Sequence, residues 1–249
     1  MTRGVVIFAY NNGTIDYVKL AMASAQRIQE HLGLPTTIVT DGADVTDSMR
    51  WFADYDTSVK WINSGRSRAY ELSPYDETIL LDADYVVNSD RLLTLFDSKQ
   101  DLLCHRHAHS ITGTHWSKAM DTFCTYKHPM WWATVVYFKK TERARAIFDT
   151  MAMVEANYKH YANLYNFKHR PFRNDYALSI ALNIAAGHYN NTEFDIPWSL
   201  ASLSPEVALT ADSDSSYRVE YESDRKYWLR LQGMDFHAMG KKHLEALYD

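Results

Sequence analysis

The chain opens on an apolar run, Val5–Ala9, that predicts a first strand, and Tyr10-Asn11-Asn12-Gly13 follows as a turn. From Ile15 to Leu32 the apolar residues recur at helical spacing, and Gly33 suits the C-cap. Pro35 precedes Thr36–Thr40, a β-branched second strand, and Asp41-Gly42 turns the chain. Between Asp44 and Trp61 the pattern is weak. Arg66–Leu72 predicts a short helix, Ser73-Pro74-Tyr75 a break, and Thr78–Leu81 a central strand. Ser89-Asp90 caps a predicted helix running through Phe96. Further on, Ala133–Lys139 reads as a strand, Glu142–Tyr165 as one long helix, and Asn174–Ala186 as a helix ended by Gly187. Ile196–Leu203 fits neither period, Asp212–Ser216 reads as a polar loop, and Lys226–Leu231 as a short strand or helix.

Strands and helices alternating at this spacing predict an α/β protein with a mostly parallel sheet flanked by helices and an elaborated C-terminal half. No repeat and no low-complexity linker interrupts the chain, so one domain over residues 1–249 is expected. In such sheets ligands bind beyond the carboxyl ends of the strands. Tyr10, Asp41 and Asp82 all fall at predicted strand ends and are expected to face one crevice.

Composition narrows the picture modestly. Of the 249 residues, 46% are hydrophobic and 23% charged, as in a globular protein with a sizeable core. The net charge of -5 supplies no global attraction to nucleic acid or anionic lipid, although a local basic patch stays open. Cys104 and Cys124 lack metal-type spacing, so free thiols in a reducing compartment are expected. The first strand begins almost at Met1, leaving no room for a signal peptide, and no apolar run approaches a membrane span; the expected location is the cytoplasm. Aromatics reach 14%, which serves a core and also offers stacking surfaces for sugars or bases.

The most informative chemistry lies at Glu77–Val87. An apolar strand there ends in two carboxylates one residue apart, Asp82 and Asp84. Charge buried at such a place is costly unless compensated. A hard divalent cation is the natural partner of two carboxylates at a strand end, and it commonly carries phosphates. Alternate residues of a strand point to opposite faces, so the pair works together only if the chain bends after Asp82.

With these motifs in order, the chain resembles GT-A (Rossmann-like) glycosyltransferases, more narrowly the nucleotide-sugar transferases of the glycogenin and bacterial galactosyltransferase type, family eight. Four segments carry the resemblance: Val6–Tyr17, Tyr75 to Asp82-Ala83-Asp84, Arg173-Asn174-Asp175, and His237-Ala238-Met239-Gly240 followed by Lys241 and Lys242. The resemblance implies a nucleotide-binding half over 1–100 and an acceptor-side half over 101–249. It implies that Asp82, Asp84 and His237 hold Mn²⁺ or Mg²⁺, with the imidazole favouring Mn²⁺. It implies that Tyr17 stacks on the nucleobase, that Tyr10, Asn11 and Asn12 line its pocket, and that Arg66 contacts phosphate. Gly240 is implied to admit the diphosphate, Lys241 or Lys242 to neutralise it, and Asp175 with Asn174 to form the catalytic pair. The donor implied is a nucleoside-diphosphate sugar, UDP-linked first, with retention of anomeric configuration. Met130–Thr134 replaces the family's Asn-x-Gly segment, and His243 stands where the family has its lysine. The acceptor expected is a saccharide or a hydroxymethylated DNA base. The latter is suggested by the bases and aromatics of Lys159–Arg173.

Two other readings compete. An apolar strand followed by Asp-x-Asp also resembles haloacid-dehalogenase-type phosphatases, with Asp82 as nucleophile and Asp84 as general acid. That motif normally follows the first strand, whereas a β-α-β unit precedes it here. The third reading is a nucleotide-sugar binding protein without turnover.

Overall fold

A computed structural model describes residues 1–40, 50–52, 65–113, 121–167, 172–189, 192–213 and 215–248, with 50–52 described in backbone only. The first half comprises β1 (Arg3–Phe8), α1 (Tyr17–Leu32), β2 (Thr36–Val39), β3 (Arg50–Phe52), α2 (Ala69–Leu72), β4 (Glu77–Asp82), β5 (Tyr85–Val86), β6 (Leu102–His105) and β7 (Ala108–Ser110). After β8 (Thr122–Phe123) and β9 (His128–Pro129) come β10 (Trp132–Lys139), α3 (Glu142–Ala156), α4 (Tyr158–Leu164) and α5 (Asn174–Ala185). The chain finishes with β11 (Leu200–Leu203), β12 (Ala208–Ser213), β13 (Ser216–Glu222), β14 (Lys226–Gln232), β15 (Phe236–Ala238) and α6 (Lys241–Leu247).

The central sheet has the order β3-β2-β1-β4-β10-β6, and β3, β2, β1 and β4 run parallel. β10 is antiparallel to both of its neighbours, β4 and β6. This is the α/β class that the sequence predicts. Side-chain alternation along each strand feeds two cores. Val5, Ile7, Ile79 and Leu81 join α1 residues Leu20 and Ile28 on one face. Val6, Leu80, Val136 and Phe138 join Phe148 of α3 and Leu178 of α5 on the other. Each such side chain, fully buried, contributes about 1.5–3 kcal/mol relative to exposure. α1 starts where the Asp16 carboxylate accepts from the Lys19 N–H and ends at Gly33, whose φ of 64° is left-handed. Gly4 has a packing reason: a Cβ there would lie 2.3 Å from Cζ of Tyr75.

A second sheet, β5-β15-β11-β7, extends the carboxyl end of β4. β12, β13 and β14 form a separate antiparallel meander.

Several expectations change. Arg91–Asp97 is a 3-10 helix rather than an α-helix; Asp90 makes no side-chain cap bond, while Ser89 Oγ accepts the Arg91 N–H at 3.3 Å. The helix expected over Glu142–Tyr165 is two, divided at Asn157 (φ -116°), whose side-chain amide donates to the Met153 carbonyl. Of the expected polar loop Asp212–Ser216, Asp212 and Ser213 end β12 and Ser216 begins β13, and Lys226–Leu231 resolves to β14. Asp41-Gly42 and most of Asp44–Trp61 lie outside the described residues, as does part of Lys159–Arg173.

Candidate active site

β4 ends at Asp82, and the chain turns at once through Ala83 and Asp84. The turn lets both carboxylates reach the same cavity. β5 then pairs antiparallel with β15, setting His237 opposite Tyr85. The Ala238 N–H also donates to the Asp84 carbonyl at 2.9 Å. Two segments far apart in sequence are thereby fastened at the site. One ligand-capable atom each from Asp82, Asp84 and His237 lies within 4.8 Å of the others. Two carboxylates and an imidazole in that space fit a divalent cation.

The site is held by paired charges. Arg66 Nη1 lies 2.6 Å from Asp82 Oδ1 and donates to the Ala133 carbonyl at 3.1 Å. Asp84 Oδ2 lies 2.7 Å from Lys241 Nζ and 3.4 Å from His237 Nε2. Burial pushes the Asp82 carboxyl up, Asp84 adds to this, and Arg66 opposes it, leaving it above its ordinary value. Burial works the same way on Asp84, but His237 and Lys241 outweigh it and hold that carboxyl well below the usual range. Burial would lower His237 and Lys241, yet the Asp84 carboxylate raises both. Burial raises the Tyr17 phenol; Lys241 opposes this, and Asp84 and Asp82 reinforce it.

Across the cavity, Asp175 sits in the first turn of α5. Its Oδ1 accepts the Ala133 N–H at 2.9 Å and its Oδ2 meets Arg173 Nη2 at 2.7 Å. The β10–β6 register shifts between Trp132 and Val136, and the pairing of β10 with β4 begins only at Val135. Ala133 is thus released from the ladder, and side chains take both of its peptide groups. Asn174 is buried and its Oδ1 has no partner among the described residues.

The cavity, about 220 Å³, is lined by Tyr10, Tyr17, Arg66, Asp82, Asp84, Asn174, Asp175, His237 and Lys241 among the residues expected from sequence. Others expected there are placed elsewhere. Asn11 Oδ1 accepts the Val18 N–H, and Asn12 Oδ1 accepts the N–H groups of Thr14 and Ile15, so both side chains shape the start of α1. Lys242 is exposed and does not line the cavity. Gly240, the N-cap of α6, has an ordinary φ of -78°, and a Cβ there would lie 3.0 Å from the Pro205 carbonyl oxygen. Its smallness therefore serves packing against Pro205. Sequence reasoning gave Trp132, Ala133 and Thr134 only as part of the Met130–Thr134 segment and Arg173 only as part of Arg173-Asn174-Asp175 and Lys159–Arg173, with no individual role; all four line the cavity. Arg173 had a signal, its place beside Asn174 and Asp175; Ala133 acts through its backbone, and its side chain gave none beyond the position of its segment.

No helix among the described residues is long and apolar enough to cross a membrane. No family model matches the chain. No curated protein matches it either. Solved structures do. The glycosyltransferase GlyE of Streptococcus pneumoniae TIGR4 matches with 12% identity and a TM-score of 0.47 over 72% of this chain and 43% of its own. The galactosyltransferase LgtC, in complex with donor and acceptor sugar analogs, matches with 16% identity and a TM-score of 0.45 over 72% and 70%. The bifunctional IspDF of Campylobacter jejuni matches with 11% identity and a TM-score of 0.42 over 73% and 47%. The chain thus spans less than half the length of the GlyE and IspDF structures. At identities and TM-scores this low, the activities of those proteins do not transfer to this chain.

Proposed function

We propose that the protein transfers a sugar from a nucleoside-diphosphate sugar, UDP-linked first, to a hydroxyl of a saccharide or of a hydroxymethylated DNA base. The observation that carries this reading is the gathering of Asp82, Asp84 and His237 at the carboxyl end of the parallel sheet. These residues would hold Mn²⁺ or Mg²⁺, and a cation bound there supplies Lewis-acid stabilisation of a departing diphosphate. Among the charged lining residues, Arg66, Arg173 and Lys241 balance Asp82, Asp84 and Asp175 one for one. A divalent cation tips that balance positive, which suits a diphosphate.

The chain's own residues divide the remaining work. Lys241, fixed by Asp84, presents a positive charge to the leaving group. The unpartnered Oδ1 of Asn174 is an acceptor awaiting a ligand hydroxyl. Asp175 has both oxygens engaged, which favours electrostatic support of a positive anomeric centre over covalent attack. Tyr17 offers its ring to the nucleobase. The cavity is smaller than the ~300–1,000 Å³ of complete ligand pockets, so part of the donor and the acceptor extend beyond its mouth.

The test is release of free nucleoside diphosphate from a donor panel with Mn²⁺, with Mg²⁺ and with chelator. Release is expected only with metal, and Asp82→Ala and Asp84→Ala should each reduce it by at least about 10²-fold. Near-normal turnover in both variants refutes the site. Phosphate release without donor dependence points instead to the phosphatase reading.

A further inference from the structure

Beyond the cavity, we propose that the outer face of the β12–β14 meander is an accessory binding surface for neutral saccharide chains. The inner face of this small sheet is accounted for: Tyr217, Val219 and Leu231 are buried in the main core. Alternation turns Arg218, Glu220 and Glu222 of β13, with Lys226, Trp228 and Arg230 of β14, to the outside. Trp228 is the anomaly, since it is 64% exposed at the middle of its strand.

The geometry around that indole is ordered. Trp228 stands directly opposite Glu220, and Arg218 directly opposite Arg230. The Arg218 guanidinium lies 5.3 Å from the Trp228 ring, and its Nε is 2.8 Å from Glu220 Oε1. Arg230 presents Nε and Nη2 to the same Asp212 oxygen, each at 3.0 Å. An aromatic plate is therefore flanked, on an exposed face, by carboxylates and guanidiniums held in ion pairs.

The charge pattern selects the ligand. Arg218, Lys226 and Arg230 are balanced by Asp212, Glu220 and Glu222. A face without excess positive charge releases no counterions from a phosphate backbone, so it is not built for nucleic acid. One indole among charges is also a poor core for a protein interface, which needs a desolvated apolar centre. An uncharged, hydroxyl-rich ring with an apolar CH face matches both components. It stacks on the indole, and paired hydroxyls bond to the carboxylates and guanidiniums.

The test is electrophoresis of the full chain through native gels containing glycogen, galactomannan or yeast mannan, without donor or metal. Because neither is present, the result is independent of the Asp82 and Asp84 site. At least one polymer should retard the wild type. Trp228→Ala should weaken that retardation about tenfold, and Trp228→Phe should retain part of it. Both variants should keep the thermal midpoint and any donor hydrolysis of the wild type, since Trp228 lies outside the cavity. Unchanged mobility in all three gels, or equal retardation of the wild type and Trp228→Ala, overturns the proposal. So does a Trp228-dependent shift with a single-stranded oligonucleotide but with none of the polymers.

Discussion

His105 offers the sharpest test of how burial governs this fold. It is 1% exposed on β6, neither ring nitrogen has a partner among the described residues, and its ring meets Trp198 edge-on at 6.2 Å. Burial pushes its pKa down to about 3, with Arg91 adding to the effect, whereas an unhindered imidazole titrates near 6.5. The folded value is the depressed one, so the unfolded chain binds the proton first as pH falls. This contribution to stability is therefore complete above the unfolded value and is lost as pH falls from there toward 3. Integrated from pH 7 to pH 5, the loss is about 2 kcal/mol. His105→Phe keeps an aromatic ring against Trp198 and removes the nitrogens. Removing polar atoms that lack partners leaves stability at neutral pH equal or higher. Urea unfolding of both proteins at the two pH values measures the difference. The wild type should fall relative to the variant by about 2 kcal/mol, while the titrations of Asp82, Asp84 and His237 cancel in the comparison. Parallel losses in the two proteins would falsify the reasoning.

Two further perturbations probe the frame of the site. Arg66→Met removes the partner of Asp82 and the donor to the Ala133 carbonyl, and should cost about 3 kcal/mol in denaturant unfolding. Added Mn²⁺ should recover part of that loss, and an unchanged midpoint without metal contradicts the pairing. Gly4→Ala drives a Cβ into the Tyr75 ring, whose hydroxyl lies 2.9 Å from Thr37 Oγ1, and should cost about 1–3 kcal/mol. A thermal midpoint equal to that of the wild type would show that Tyr75 moves aside freely.

The legible parts of this protein are the local ones. The strand over Glu77–Asp82 and its terminal carboxylates follow from residue order, because a buried parallel strand must be apolar and its end is where polar groups emerge. His237 and Lys241 entered only through a resemblance, since the pairing of β5 with β15 that seats them leaves no local mark. The role of Ala133 was invisible for a different reason: a bulge frees backbone groups, and any residue type supplies those. The Asp/Ser cluster at 212–216 obscured two strands, although Tyr217 and Val219 alternate with Arg218 and Glu220 as a half-buried strand should. The helical period simply runs through Asn157, where one side-chain hydrogen bond to the preceding turn accompanies the break.

The pairing of β5 with β15 also orders events in time. Among the described residues, every strand of the central sheet lies at or before Lys139, so its strands are all synthesised before the later residues are added. His237 and Lys241 arrive last, and until they dock, Asp84 lacks the two groups it is paired with in the folded chain. The proposed site is therefore complete only when β15 has closed against β5, after α3 and α5 have covered the second face of the sheet.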